Sequence, residues 1–327
     1  ARAAGLQPEK AKIIATSAQY VDDSTGGECL DAGMHGMYFP VVTGHALLDP
    51  KNIIVSDQLR VWLPFHFLPG NLDSPSAERR LTCTKNSKAG QAILDFALNN
   101  HDKPYAWHLA GVVCHVFEDT YSHYGFVGIS SKFNGVNIAS VQPTPPEQKG
   151  LLEYIQEKYE AALQKLGKLG PSYRVLGHAA VGDYPDRPYL AWSYENSEGE
   201  LVTRNNPRDY LECCQALHAF FQEFPGRSQA MSWPDIRDAV AHVVAFEGKK
   251  GEREQAWKTA FEELIHGGPV PQDVAVTYDA WPLSDIHEAV SAGNLEECAL
   301  HLFMQAADVY RNHVLEEYLP ERHVLLS

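Results

Sequence analysis

Residues 107 to 127, WHLAGVVCHVFEDTYSHYGFV, constrain this chain more than any other stretch. Within it His115, Asp119 and His123 recur at four-residue intervals. At 3.6 residues per turn that spacing drifts only slightly around a helix, so the three project from one face. Val112, Val113, Val116, Phe117 and Tyr121 lie between them and mark the helix as buried. Buried imidazoles and carboxylates need partners, and two imidazoles with a carboxylate make a donor set for a divalent cation. The competing reading is a plain His–Asp hydrogen-bonded pair with a surface histidine beside it. His108 lies on nearly the same face and reads as a further ligand, a supporting donor or, most simply, a core histidine.

The chain has 327 residues, 44% of them hydrophobic and 21% charged, which is enough to bury one large core or two smaller ones. Its net charge of −15 argues against a nucleic-acid duplex as partner, since that needs a basic face. A phosphate-bearing small-molecule substrate stays open, because a bound cation reverses the local field. The six cysteines form no C-x-x-C pair, so a thiolate metal site is disfavoured and a reducing, cytoplasmic location is expected. No run of 18 apolar residues exists, so no membrane span is expected. Oligomeric state is left open.

Apolar periodicity predicts helices over 8–22, 87–99, 105–124, 148–168, 207–223, 233–247, 250–266 and 294–317. Residues 24–85 read as a long irregular region with short strands such as 59–63. Residues 130–147, rich in proline, and 170–206 read as loops. No repeat or linker divides the chain. The expected fold is mainly α: a single helical metal-binding domain over 1–327, with long loops crossing one end.

Further ligands are sought at helix ends and in loops. Asp22 and Asp23 close the first helix, where the negative end of the dipole disfavours adjacent acids unless a cation is near; Asp22 continues the inward face. His66, in W-L-P-F-H-F-L-P, is held between Phe65 and Phe67 and two prolines, and is weighed as ligand or substrate contact against a buried neutral histidine. His45 follows the same argument more weakly, and His35 more weakly still. His178, in G-H-A-A-V-G-D-Y-P-D, has Asp183 and Asp186 close by as co-ligand or orienting acid, although Asp186 beside Arg187 also fits a simple turn. Glu118 projects about 100° from Asp119 and reads as a solvent-facing or supporting acid. The candidate ligands are thus Asp22, His45, His66, His115, Asp119, His123, His178 and Asp186. Asp22, His66, His178 and Arg187 are the candidates for contact with the reacting groups.

These motifs together resemble a family of uncharacterised, mostly bacterial proteins. The shared elements are the opening from Ala4 to Asp23, P-F-H-F-L-P at 64–69, H-V-x-x-D-T-x-x-H-x-G-F-x-G from His115 to Gly128, and G-H-x-x-V-G-x-Y-P-D-R-P-Y at 177–189. In such proteins an Asp-Phe-His-Tyr-like segment precedes the opening helix, which implies a further ligand histidine upstream of residue 1. More distantly, the motif order resembles the zinc-dependent phospholipase C and single-strand nuclease superfamily. That resemblance implies a helical bundle and one to three zinc ions. The chain departs from it in the short Asp119–His123 spacing and in the separation of His178 from Asp186.

Three functions are weighed. The first is a metal-dependent hydrolase, phosphoester-cleaving, with zinc and with Asp22 bridging cations and Arg187 holding substrate oxygens. The second is a non-haem iron or manganese enzyme, since two histidines and one carboxylate also suit those metals. The third is a non-enzymatic helical protein with a closed structural metal site. No G-x-S-x-G, Walker or dinucleotide motif is present.

Overall fold

The computed structural model describes residues 1–31, 36–46, 49–148, 150–168, 176–266 and 278–324. His35 lies outside the described residues. The longer helices are α1 (Pro8–Asp23), α2 (Lys88–Asn99), α3 (Ala106–Ser122), α4 (Leu151–Gly167), α5 (Asn206–Glu223), α6 (Trp233–Val244), α7 (Lys250–Phe261), α8 (Ser284–Ala292) and α9 (Ala299–Asn312). Local chemistry sets several of their starts. Pro8 opens α1, where a missing N–H costs nothing. Ser87 caps α2 through Gly90 N–H, at 3.1 Å.

Helix α3 is the hub, packed by α1, α2, α5 and α9. Its small residues allow close approach. The backbone of α1 passes so near Gly111 that a Cβ there would lie 2.4 Å from Ser17 Cβ and 2.6 Å from Ile14 O. Leu109, Val112, Val113, Val116 and Phe117 are fully buried around this contact.

A purely helical bundle is not what forms. Among the described residues the structure is helix-dominated, 56% helix with five short strands at 10%, a mixture of α and β. Strands β1 (Leu30–Asp31) and β2 (Met37–Tyr38) form a small ribbon. The larger sheet is antiparallel with order β3-β4-β5, from β3 (Val136–Pro143), β4 (Ala191–Asn196) and β5 (Leu201–Asn205). The prolines at 143–146 suggest a loop, but β3 is an edge strand and Pro143 closes it, where no ladder donor is lost. In β4, Trp192 and Tyr194 are buried and their neighbours are not, a period of two inside a segment read as irregular. Gly199, at φ 78°, turns β4 into β5. The expected strand at 59–63 is also corrected. Gln58–Trp62 is a wide helical turn, pinned by the Gln58 amide donating to the Asn52 carbonyl at 2.6 Å.

This sheet positions the end of α3. Arg204 of β5, 1% exposed, stacks 3.6 Å over the Tyr124 ring and donates to the Tyr124 carbonyl (2.9 Å) and the Ser122 carbonyl (2.5 Å). A buried cation thus satisfies carbonyls just past the C-terminus of α3, where the dipole is negative. Asn206, opening α5, donates to the carbonyls of Tyr184 and Arg187, each at 2.8 Å, and fixes the loop between them. No helix among the described residues is long and apolar enough to cross a membrane.

His108 is 3% exposed, and neither ring nitrogen has a hydrogen-bond partner among the described residues. Burial, helped by Lys10, lowers its pKa from 6.5 to about 4. The folded protein therefore binds fewer protons at this site than the unfolded chain between those values. The associated stability is present above about pH 6.5 and is lost as pH falls toward about 4. His108→Leu is expected to remove this acid sensitivity, which amounts to roughly 3 kcal/mol at most. Urea melts of both proteins at pH 7 and pH 4.5 check it; an unchanged acid-induced loss in the variant refutes the assignment.

Candidate metal centre

Four segments converge at the sheet-held end of α3. Helix α1 ends at Asp22. A short helical turn, Leu63–Phe65, ends at His66. Helix α3 contributes His115 and Asp119, with His123 as its C-cap. The loop around the turn Ala179–Val181 brings His178 and Asp186. Two groups result, Asp22–His66–His115 and His123–His178–Asp186, and within each the ligand atoms lie within 4.8 Å of one another.

The Asp119 carboxylate joins the two groups. Its Oδ2 is 3.1 Å from His66 Nδ1, 3.3 Å from His115 Nε2 and 3.6 Å from His123 Nδ1. Asp22 Oδ1 is 3.7 Å from His115 Nε2 and 4.0 Å from His66 Nδ1. Asp186 meets His123 Nε2 at 3.2 Å and His178 Nε2 at 3.6 Å. The four-residue spacing does place His115, Asp119 and His123 on one face, yet the two histidines fall into different groups. Asp23 turns away and accepts a hydrogen bond from Tyr278.

The backbone decides which nitrogens face inward. His66 Nε2–H donates to the Thr43 carbonyl (2.8 Å), His123 Nδ1–H to the His66 carbonyl (2.7 Å) and His178 Nδ1–H to the Gly182 carbonyl (2.8 Å). Each ring then presents its other nitrogen, with a lone pair, to carboxylate oxygens. His66 Nδ1 and His115 Nε2 also lie only 3.3 Å apart. Lone pairs facing lone pairs at these distances require shared protons or a cation between them. Donation of the remote N–H to a carbonyl is the outer-shell arrangement that orients metal-ligating histidines. The residues therefore fit divalent cations.

Without a cation, protons must serve. Burial pulls the His115 and His123 imidazoles down, but Asp119 beside both, with Asp186 beside His123, outweighs it and raises each to about 9. Burial acts to raise the Asp119 carboxyl, and the imidazolium rings of His123 and His115 override it, holding it far below the usual range. His178 is lowered, chiefly by burial. Glu118 lines the same cavity but is exposed; the surrounding protein and the charges of Asp119, Asp22 and Asp186, opposed by His115, push its carboxyl above the usual range.

Other residues singled out from the sequence lie apart. His45 is buried, 3.8 Å from Asp49 and 4.0 Å from Asp57, and belongs to neither group. Arg187 is buried and donates to Asp183 at 2.5 Å and to Tyr189 Oη at 3.0 Å; it does not line the cavity of the two groups. That cavity, about 670 Å³, is lined also by Tyr210, Arg253 and Trp257. Sequence reading passes over these three, because helices α5 and α7 carry no local motif and reach the site only through packing.

Fold and site together define a helix-dominated protein whose paired His/Asp groups are able to hold metal ions. Residues 1–318 match the profile of a family of unknown function, DUF6765, and the chain belongs to that family. No curated protein and no solved structure is significantly similar to it.

Proposed function

We propose that the chain is a metal-dependent hydrolase of phosphoesters. The observation that carries this reading is the adjacency of two His/Asp groups joined through Asp119 and open to one cavity. Asp22, His66 and His115 would hold one cation and His123, His178 and Asp186 a second, with Asp119 between them. Two His and one carboxylate leave each cation with open positions, unlike a closed structural site. When bound, such a pair supplies Lewis acidity toward a phosphoryl oxygen. The protein's own part is to fix the donors: the carbonyls of Thr43, His66 and Gly182 hold three rings in register. Arg204 and Asn206 hold the two segments that carry His123 and Asp186. The motif order shared with zinc phospholipases C and single-strand nucleases supports the same reaction class. Zinc is the preferred cation, and the single domain spans the chain.

The donor set also suits non-haem iron, so metal identity is part of the test. Elemental analysis of protein purified without added metal is expected to find zinc. Stripping with a chelator should abolish hydrolysis of p-nitrophenyl phosphate and its bis-ester, and zinc should restore it. Stoichiometric iron without phosphoester turnover would transfer the site to the iron reading. A protein that binds no metal would overturn both.

A further inference from the structure

A second chamber, about 420 Å³, borders the metal centre from the other side. It shares Trp62, His123, His178 and Asp186 with the larger cavity. Most of its remaining surface is apolar, from Phe67, Ala162, Leu176 and Ala179, with Lys158 and Asp183 as the charged residues on that wall. Aromatic faces dominate the part nearest the ligands: Phe67 stacks on His123 with centroids 4.7 Å apart, and Trp62 lies 4.9 Å from the His66 ring. The volume is that of a small-molecule pocket. His45, 7% exposed, also lines it, and neither of its ring nitrogens has a hydrogen-bond partner among the described residues. The ring instead lies at ion-pair range of two acids, 3.8 Å from Asp49 and 4.0 Å from Asp57, and makes no demand on an occupant of the chamber.

The larger cavity has the opposite character. Four acids line it: Asp22, Glu118, Asp119 and Asp186. Two divalent cations would balance them. Arg253 is the one Lys or Arg among the described residues lining this cavity, and its Nε is buried without a hydrogen-bond partner among them. In the metal-loaded protein its charge is thus in surplus, and an anion is the complement.

We propose that the substrate is an aryl phosphate, with its ring in the Trp62–Phe67–Leu176 chamber and its phosphate oxygens turned toward Arg253. The ester bond would then cross the boundary formed by His123, His178 and Asp186. Hydrolysis there adds a water oxygen to phosphorus and breaks the P–O(aryl) bond. The bonding pair leaves on the phenolate oxygen, which takes up a proton from the water. This rests on the phosphoester reading and adds the substrate class to it.

The test is binding, separate from turnover. Calorimetry with zinc-loaded protein would compare two non-hydrolysable probes, 1-naphthylmethylphosphonate and methylphosphonate. The naphthyl probe is expected to bind at least about tenfold tighter, from burial of its ring. Ala162→Phe, on the outer wall of the chamber, should erase that preference while leaving methylphosphonate affinity unchanged. Ala162→Leu should reduce the preference partway, with circular dichroism checking the fold of each. Arg253→Met should weaken both probes about tenfold and keep the preference. Equal affinity of the wild type for both probes, absence of binding, a preference untouched by Ala162→Phe, or affinities untouched by Arg253→Met overturns the proposal. Selective binding with no phosphoester turnover would overturn the hydrolase reading instead, and turnover without selectivity would overturn this inference alone.

Discussion

Asp119→Ala is expected to abolish phosphoester turnover and to lower metal affinity by more than the 10–100-fold typical of losing an outer-shell partner, while the protein stays folded. The carboxylate lies within 3.6 Å of histidines from both halves of the site. Removing it takes a charge from beside His66 Nδ1 and His115 Nε2 and from beside the His123 ring, whose Nε2 faces the second group. It also leaves His66 Nδ1 and His115 Nε2, 3.3 Å apart, with less negative charge to hold a cation or a proton between them. The fold should persist because the α3 neighbours of Asp119 are packed by apolar contacts and because Arg204 secures the helix end independently. Asp119→Asn is the sharper variant. It keeps the shape and one oxygen but loses the charge, so metal content should fall while near-ultraviolet circular dichroism is unchanged. Calorimetric titration with zinc and elemental analysis of the purified variants check this. An Asp119→Ala protein with full zinc content and turnover would show that the two groups act without it.

The sequence makes the α3 face legible because a helix imposes its own period: His115, Asp119 and His123 need no tertiary information to be placed together. His66 and His178 are legible for a different reason, since each sits in a short, unusual apolar or Gly-Pro context. Their inward nitrogens are not, because those are set by carbonyls of residues 43, 66 and 182, distant in sequence or invisible to side-chain patterns. The same limit hides the sheet. Strand β3 is separated from β4 by α4 and long loops, so the pairing of Val136 with Asn196 is a non-local event with no local signature, whereas the β4–β5 hairpin is local. Arg187 is a cation beside an acid in a suggestive loop, and packing turns its two Nη atoms to Asp183 and Tyr189. Arg253, in an ordinary charged helix, is the cation that faces the cavity.

Gly111→Ala is expected to destabilise the protein by about 2 kcal/mol and to weaken metal binding with it. Two effects compete. Alanine in a helix interior is favoured over glycine by about 1 kcal/mol. Against this, the new methyl would sit 2.4 Å from Ser17 Cβ, 2.6 Å from Ile14 O and 3.1 Å from Ala18 N. Two of these three atoms are backbone of α1, which cannot swing aside like the end of a long side chain. Overpacking of this kind costs about 1–3 kcal/mol or more, so the clash wins. Relief requires α1 to move away from α3, and α1 carries Asp22, whose Oδ1 lies 3.7 Å from His115 Nε2. Stability and site geometry are thus coupled through one contact. Ser17→Gly in the same chain removes the nearest clash but not the Ile14 carbonyl, so it should recover only part of both losses. Urea denaturation and zinc titration of the single and double variants separate the outcomes. If Gly111→Ala raises stability by its helix-propensity gain, α1 and α3 are further apart than this packing requires. If it destabilises without changing zinc affinity, Asp22 is not held by α1 in the way the site needs.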